Sequence, residues 1–348
     1  MDSLKNQQLS ASYEAFVLNF KRPSGTSRGV LTQKKGWKLT LTNTEGIIGL
    51  GECSVIPGLS PDYLSDEQYE AQLKLVCQNP LRFIEDKVLL LDFPSILCGL
   101  ESAFFDLQNG GKGIYFDSGK KEHGFRIPIN GLIWMGDESF MQDQIEEKLA
   151  AGFSCIKLKV GAINFQQELK LLEGIRSRFD ASKITLRVDA NGAFHPDEAL
   201  RKLEELSKLE IHSIEQPIKA GFRKEMSDLC AKTPLPIALD EELIGVNLRN
   251  EKIELLDTIR PQYIILKPSL HGGFSGSKEW IELADERKIP WWITSALESN
   301  IGLNAIAQFT ATFNPSLPQG LGTGGLYETN FDAPLEIENG FLRYQSAV

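Results

Sequence analysis

Six ionisable residues carry most of the chemical information in this chain: Lys157, Lys159, Asp189, Glu215, Asp240 and Lys267. Lys157 and Lys159 are two positions apart in the apolar run Cys155-Ile156-Lys157-Leu158-Lys159-Val160, so on a β-strand they share one face. Side by side, like charges oppose one another, and the pairing is expected to push one lysine towards a neutral amine able to act as a base. Asp189, Glu215 and Asp240 follow at intervals of 26 and 25 residues, each at the end of a short apolar run. Singly, each acid reads equally well as a helix N-cap. In register, three carboxylates brought to one point repel unless they share a cation. An all-oxygen set suits Mg²⁺, with Mn²⁺ as a substitute. Glu241 and Glu242 follow Asp240 directly, so a shift of one position is open, and the strand-end register favours Asp240.

These residues need a scaffold that turns strand ends towards one place. From about residue 126, short apolar strands alternate with amphipathic helices. The predicted strands are Ile127–Met135, Cys155–Val160, Thr185–Asp189, Ile211–Glu215, Ile237–Asp240, Tyr263–Lys267, Trp291–Thr294 and about Pro318–Leu321. Seven strand–helix units and a closing strand predict an α/β fold, a (β/α)8-type TIM barrel modified to (β/α)7β. Its active site would lie at the C-terminal strand ends. An open doubly wound sheet is disfavoured, because no Gly-rich phosphate turn follows an early strand. Upstream, Ser12–Phe20, Lys34–Asn43 and Ile47–Pro57 read as strands and 66–110 as helices, an α+β capping domain. The expected organisation is a cap over 1–125, a barrel over 126–322 and a tail, 323–348, returning to the cap. The Pro23–Gly29 loop, rich in small residues, reads as an exposed turn or a mobile cover for the barrel mouth.

Bulk composition excludes several classes. Net charge is −10, which opposes general nucleic-acid binding, so positive charge for an anionic substrate must be local. No apolar run is long enough to span a membrane, and Met1–Ser12 is polar without a signal core, so a cytoplasmic protein is expected. Five scattered cysteines without CxxC spacing offer no disulfide framework or zinc site. His123, His195, His212 and His271 lack metal spacing and read as structural, and Trp291-Trp292 reads as core packing.

The series Lys157-x-Lys159, Asp189, Glu215, Asp240 and Lys267 resembles the enolase superfamily in its muconate-lactonising subgroup, over essentially the whole chain. Further segments resemble the branch that dehydrates a cyclohexadiene carboxylate. They are Ile129–Gly136, Arg187 two before the first acid, Ser269–Gly273, and Thr294-Ser295-Ala296-Leu297-Glu298-Ser299. The resemblance implies Lys159 as the base that removes a proton α to a carboxylate and as the acid that assists loss of hydroxide. It implies Lys267 opposite, stabilising an enediolate, Lys157 tuning Lys159, and Asp189, Glu215 and Asp240 as Mg²⁺ ligands. Weaker substrate-binding assignments fall on Arg28, Arg187, Asn191, Ser295, Gly322 and Gly324. Gly320–Gly325 reads either as an anion nest or as a flexible closing turn. The implied partner is a small dianionic carboxylate, with no nucleic acid and no membrane. The Asp-x-Asp of the subgroup's dipeptide epimerases is missing, which argues against that activity. Racemisation of N-acylamino acids and cycloisomerisation are the alternatives within the subgroup, and a non-catalytic barrel is the remote one.

Overall fold

The computed structural model describes residues 8–26, 29–116, 124–134, 138–161 and 163–345. The chain opens with β1 (Ser10–Thr26), β2 (Gly29–Thr42) and β3 (Ile48–Ser54), an antiparallel meander. Alternating burial along β2 puts Trp37, Leu39 and Leu41 on the face covered by helices. Those helices are α1 (Asp66–Gln78), capped by Ser65, α2 (Pro80–Glu85), and α3 (Pro94–Gln108), which starts at a proline. The packing of β3 on α3 is backbone to backbone. A side chain at Gly51 would put its Cβ 1.9 Å from the Gly99 carbonyl oxygen, so only glycine fits.

The barrel follows β4 (Phe125–Pro128). Its chain order is β5 (Gly131–Ile133), α4 (Glu138–Ala150), β6 (Cys155–Lys159), α5 (Phe165–Arg178), β7 (Thr185–Asp189), α6 (Pro196–Ser207), β8 (Ser213–Glu215), α7 (Arg223–Lys232), β9 (Ile237–Leu239), α8 (Arg249–Ile259), β10 (Tyr263–Leu266), α9 (Gly273–Glu286), β11 (Trp291–Ile293) and α10 (Asn300–Thr312). Strands β5 to β11 form one parallel seven-stranded sheet in sequence order. The predicted eighth strand closes it through two single parallel bridges, Thr294 with Gly320 and Ile129 with Gln319. Outward residues such as Ile156, Leu158, Leu186 and Ile214 join the helices in the largest apolar core.

The first predicted barrel strand is two elements. Phe125–Pro128 pairs antiparallel with β13 (Phe341–Tyr344), itself paired with β12 (Leu335–Glu338), and only Gly131–Ile133 joins the barrel sheet. Pro128 has no N–H to continue a ladder, and the chain changes partners after it. Before this hairpin the tail touches β1: Phe20 bridges Tyr327, and Glu328 N–H donates to the Asn19 carbonyl at 2.9 Å.

Candidate active site

Strand register sets the site. On β6, Lys157 and Lys159 face inward while Ile156 and Leu158 face the helices. The register pairs Lys159 with Asp189 and Lys157 with Arg187, and on the next strand Asp189 with Glu215. Asp240 and Lys267 each follow the last residue of their strand, β9 and β10. All six ionisable residues, with Asn191 and Glu241, line one cavity of about 560 Å³. β6 and β10 are separated by three strands in an eight-strand circuit, so Lys159 and Lys267 approach from opposite sides.

The turns after the strands are held tightly. Asn191, at φ 43°, takes a left-handed conformation stabilised by its N–H donating to Asp189 Oδ1 at 3.0 Å. Gln216, also left-handed, accepts the N–H of Asp240 at 3.2 Å, which ties β8 to β9. After β10, the Lys267 N–H donates to His271 Nδ1 at 2.9 Å. Burial holds that imidazole well below the ordinary histidine pKa, so it stays a neutral acceptor and a structural group.

Charge is dense here. Lys157 Nζ lies 2.8 Å from Asp189 Oδ2 and 2.5 Å from Glu215 Oε2, bridging the two acids. Lys267 Nζ bonds Asp240, and Lys159 Nζ donates to Asn191 Oδ1 at 2.5 Å, with Asp189 3.9 Å away. Burial disfavours the Lys157 ammonium, but Asp189 and Glu215 outweigh it and raise its pKa; Asp240 and Glu215 do the same for Lys267. The expected depression of a lysine by its neighbour is therefore reversed at Lys157, because two carboxylates lie within 2.8 Å of its ammonium. Asp189 is also buried, yet Lys157 and Lys159 hold its pKa at about 2. Burial and the neighbouring Asp189 push Glu215 the other way, up to about 8.

Among the described residues, no group of three or more His, Cys, Asp or Glu is gathered as a closed metal cage, since lysines separate the acids. The donor set still fits a hard divalent cation. It is all oxygen and deeply buried, and Asp240 Oδ1 and Glu241 Oε2 have no hydrogen-bond partner.

The weaker candidates separate. Asn191, Ser295 and Gly322 line the cavity. Arg187 and Gly324 are not among its lining residues. Arg187 is buried below, donating to the Pro318 carbonyl at 2.8 Å with its guanidinium 4.0 Å from the Trp292 ring centre. Arg28 and His123 lie outside the described residues. Trp292 packs as expected, 3% exposed against Ala238 and Ile265, and it also lines the cavity with Thr294, a second role that strand alternation could have signalled. Glu241 was weighed only as a shifted ligand, and it accepts Asn191 Nδ2 at 3.0 Å.

Comparison with known proteins places this geometry. The chain belongs to the enolase C-terminal domain-like family, whose profile matches residues 141–347. It is 48% identical to o-succinylbenzoate synthase of Desulfotalea psychrophila, over 96% of this chain and 98% of that protein. The crystal structure of MenC from the same organism superposes with a TM-score of 0.85 at 46% identity, covering 96% of this chain and 99% of the other. N-succinyl-L-Arg/Lys racemase of Bacillus cereus is 25% identical, over 84% of this chain and 80% of that protein. A dipeptide epimerase from Enterococcus faecalis, crystallised with Mg and a dipeptide, shares the fold at a TM-score of 0.84 and 19% identity, covering 97% of each chain. The fold is thus the barrel-and-cap architecture of the enolase superfamily, whose members use a divalent metal. Among the described residues no helix is long and apolar enough to cross a membrane.

Proposed function

We propose that the chain dehydrates 2-succinyl-6-hydroxy-2,4-cyclohexadiene-1-carboxylate to o-succinylbenzoate, as a cytoplasmic step of menaquinone biosynthesis. The observation that carries this reading is the 48% identity to an o-succinylbenzoate synthase over nearly the whole of both chains. The opposed lysines and clustered acids of one cavity support it.

In this reading the cap (1–125) and tail (323–348) cover a barrel formed by 126–322. Lys159 Nζ takes the C1 proton, which is α to the ring carboxylate, and returns a proton to the C6 hydroxyl as it leaves. Water departs and the ring becomes aromatic, so one group serves as base and then acid. Asn191 orients the Lys159 amine through the 2.5 Å bond. Lys267 supplies positive charge to the enediolate from the opposite side. Lys157 fixes Asp189 and Glu215 and tunes its neighbour Lys159. Asp189, Glu215 and Asp240 would hold Mg²⁺, or Mn²⁺ in its place. Bound there, the cation supplies positive charge beside the substrate carboxylate. A dianionic substrate suits this locally cationic cavity in a chain of net charge −10. Asn191 and backbone N–H groups near Gly322 are its candidate contacts, with Ser295 shaping the wall beside them and Arg187 acting from beneath through Trp292.

The test is direct. The purified chain with Mg²⁺ is assayed on the cyclohexadiene carboxylate and on N-succinylamino acids, and kcat/KM is compared. Preference for the N-succinylamino acids would replace dehydration with racemisation, the activity named for the Bacillus cereus relative.

A further inference from the structure

Glu298 is 1% exposed and lies at the turn between β11 and α10. Each of its carboxylate oxygens accepts a serine hydroxyl: Ser269 Oγ at 2.6 Å on Oε1 and Ser295 Oγ at 2.6 Å on Oε2. Ser269 is two residues beyond Lys267, at the end of β10. Ser295 follows β11 and lines the cavity. The Ser295 oxygen in turn accepts the Thr323 hydroxyl at 2.9 Å and the Glu298 N–H at 3.2 Å. One donor and two acceptor sites are all that a hydroxyl has, so Ser295 is fully committed inside the protein. Thr323 belongs to the segment after the closing bridge at Gly320 and also lines the cavity.

The same turn is held from two more directions. Leu297 sits at φ 63°, a conformation unfavourable for leucine, and its carbonyl accepts the Tyr327 hydroxyl at 2.6 Å. Glu52 of β3 accepts the Ser299 N–H at 2.9 Å and the Gly302 N–H at 2.9 Å. A strained turn persists only where its surroundings over-determine it.

We propose that Glu298 is a positioning residue that locks the ends of β10, β11 and the closing segment into one wall of the cavity, through Ser269, Ser295 and Thr323. Ser295 then shapes this wall as a fixed, saturated group and does not donate its own hydrogen bond to the substrate. The inference rests on the dehydratase reading only for its kinetic readout.

The experiment measures kcat, KM and thermal stability for Glu298→Ala, Glu298→Gln, Ser295→Ala, and the double variant of Glu298→Ala with Ser295→Ala. Glu298→Ala is expected to raise KM about tenfold while kcat falls less. Glu298→Gln, which keeps the volume and one acceptor, should recover to within about threefold of wild type. The double variant should be no worse than Glu298→Ala, because both changes break one linkage. Multiplying effects, or a KM within about twofold of wild type in Glu298→Ala, would overturn the proposal. If Glu298→Ala does not fold, the crystal structure of Ser295→Ala, which removes the hydroxyl between Glu298 and Thr323, decides, and an unmoved Thr323 segment overturns it. Absence of wild-type turnover sinks the dehydratase reading by itself, and the same crystal structure then judges the wall.

Discussion

Two sets of buried charges lie close together and are treated in opposite ways. At the junction of β3 with α10, Glu52 and Glu298 have both oxygens bonded to serine hydroxyls or backbone N–H groups. Lys34, buried beside them, donates to the Val55 carbonyl. At the barrel mouth, Asp240 and Glu241 each keep a buried oxygen with no partner, and lysines face carboxylates directly. Satisfied buried charge fixes geometry; unsatisfied buried charge marks where a ligand is to complete the set. The contrast predicts that changes at the mouth alter chemistry, that changes at Glu52 alter stability, and that changes at Glu298 act on substrate binding through the wall it holds.

The largest effect is expected from the two opposed lysines. Lys159→Ala should abolish turnover, and Lys267→Ala should forfeit a strong electrostatic contact worth roughly 3–4 kcal/mol. If wild type also exchanges the α-proton of N-succinylphenylglycine with solvent deuterium, each variant should lose exchange from a different enantiomer. Loss of the same enantiomer in both would mean that the lysines do not flank the substrate.

Next comes the acid set. Glu215→Gln should weaken divalent-metal binding in calorimetry and lower activity by about a hundredfold or more. Full activity after exhaustive chelation would remove the cation from the mechanism.

At the junction, Glu52→Ala should cost about 2–3 kcal/mol of stability in denaturant unfolding, because two backbone N–H groups and a hydroxyl lose a charged acceptor. Activity per folded molecule should change far less than for Glu215→Gln. An equal loss of activity would erase the distinction between the two sets.

The most gradual effect is a pH slope. Burial lowers the Lys34 pKa from 10.5 to about 8, against the pull of Glu298, Glu52 and Asp62. Between about pH 8 and 10.5 the unfolded chain holds this proton longer, so stability rises with pH there, by up to about 3 kcal/mol in all. Below pH 8 lysine is charged in both states and the cost of burying it is constant. Lys34→Met should lack the rise, and parallel stability curves for mutant and wild type would refute the assignment.

What could be read from the sequence follows from periodicity. β6 to β11 are short apolar runs separated by amphipathic helices, and five of the six ionisable residues fall at or just beyond their ends, so barrel and cavity were legible together. β4 and β5 were not, because Ile127–Met135 is one apolar run and its division depends on a tail hairpin two hundred residues away. Trp292 packs against Ala238 and Ile265 as expected, and its added place in the cavity wall was not legible because a bulky apolar residue on a strand looks the same facing a cavity or a core. Glu52 and Glu298 carried no signal as isolated acids. Their meaning lies in hydroxyls and N–H groups contributed by other elements, which no spacing rule reveals.

The bond between Glu52 and Ser299 joins positions 247 residues apart. A growing chain therefore makes β3 long before the N-terminus of α10 exists to receive it. The apolar face of the meander is covered early, by α1–α3, but until α10 forms the Glu52 carboxylate has none of its native donors. Loop closure over such a span is slow compared with local helix formation. The Glu52 end of β3 is thus the part of the cap completed last, and nascent or truncated molecules are the form in which it is exposed.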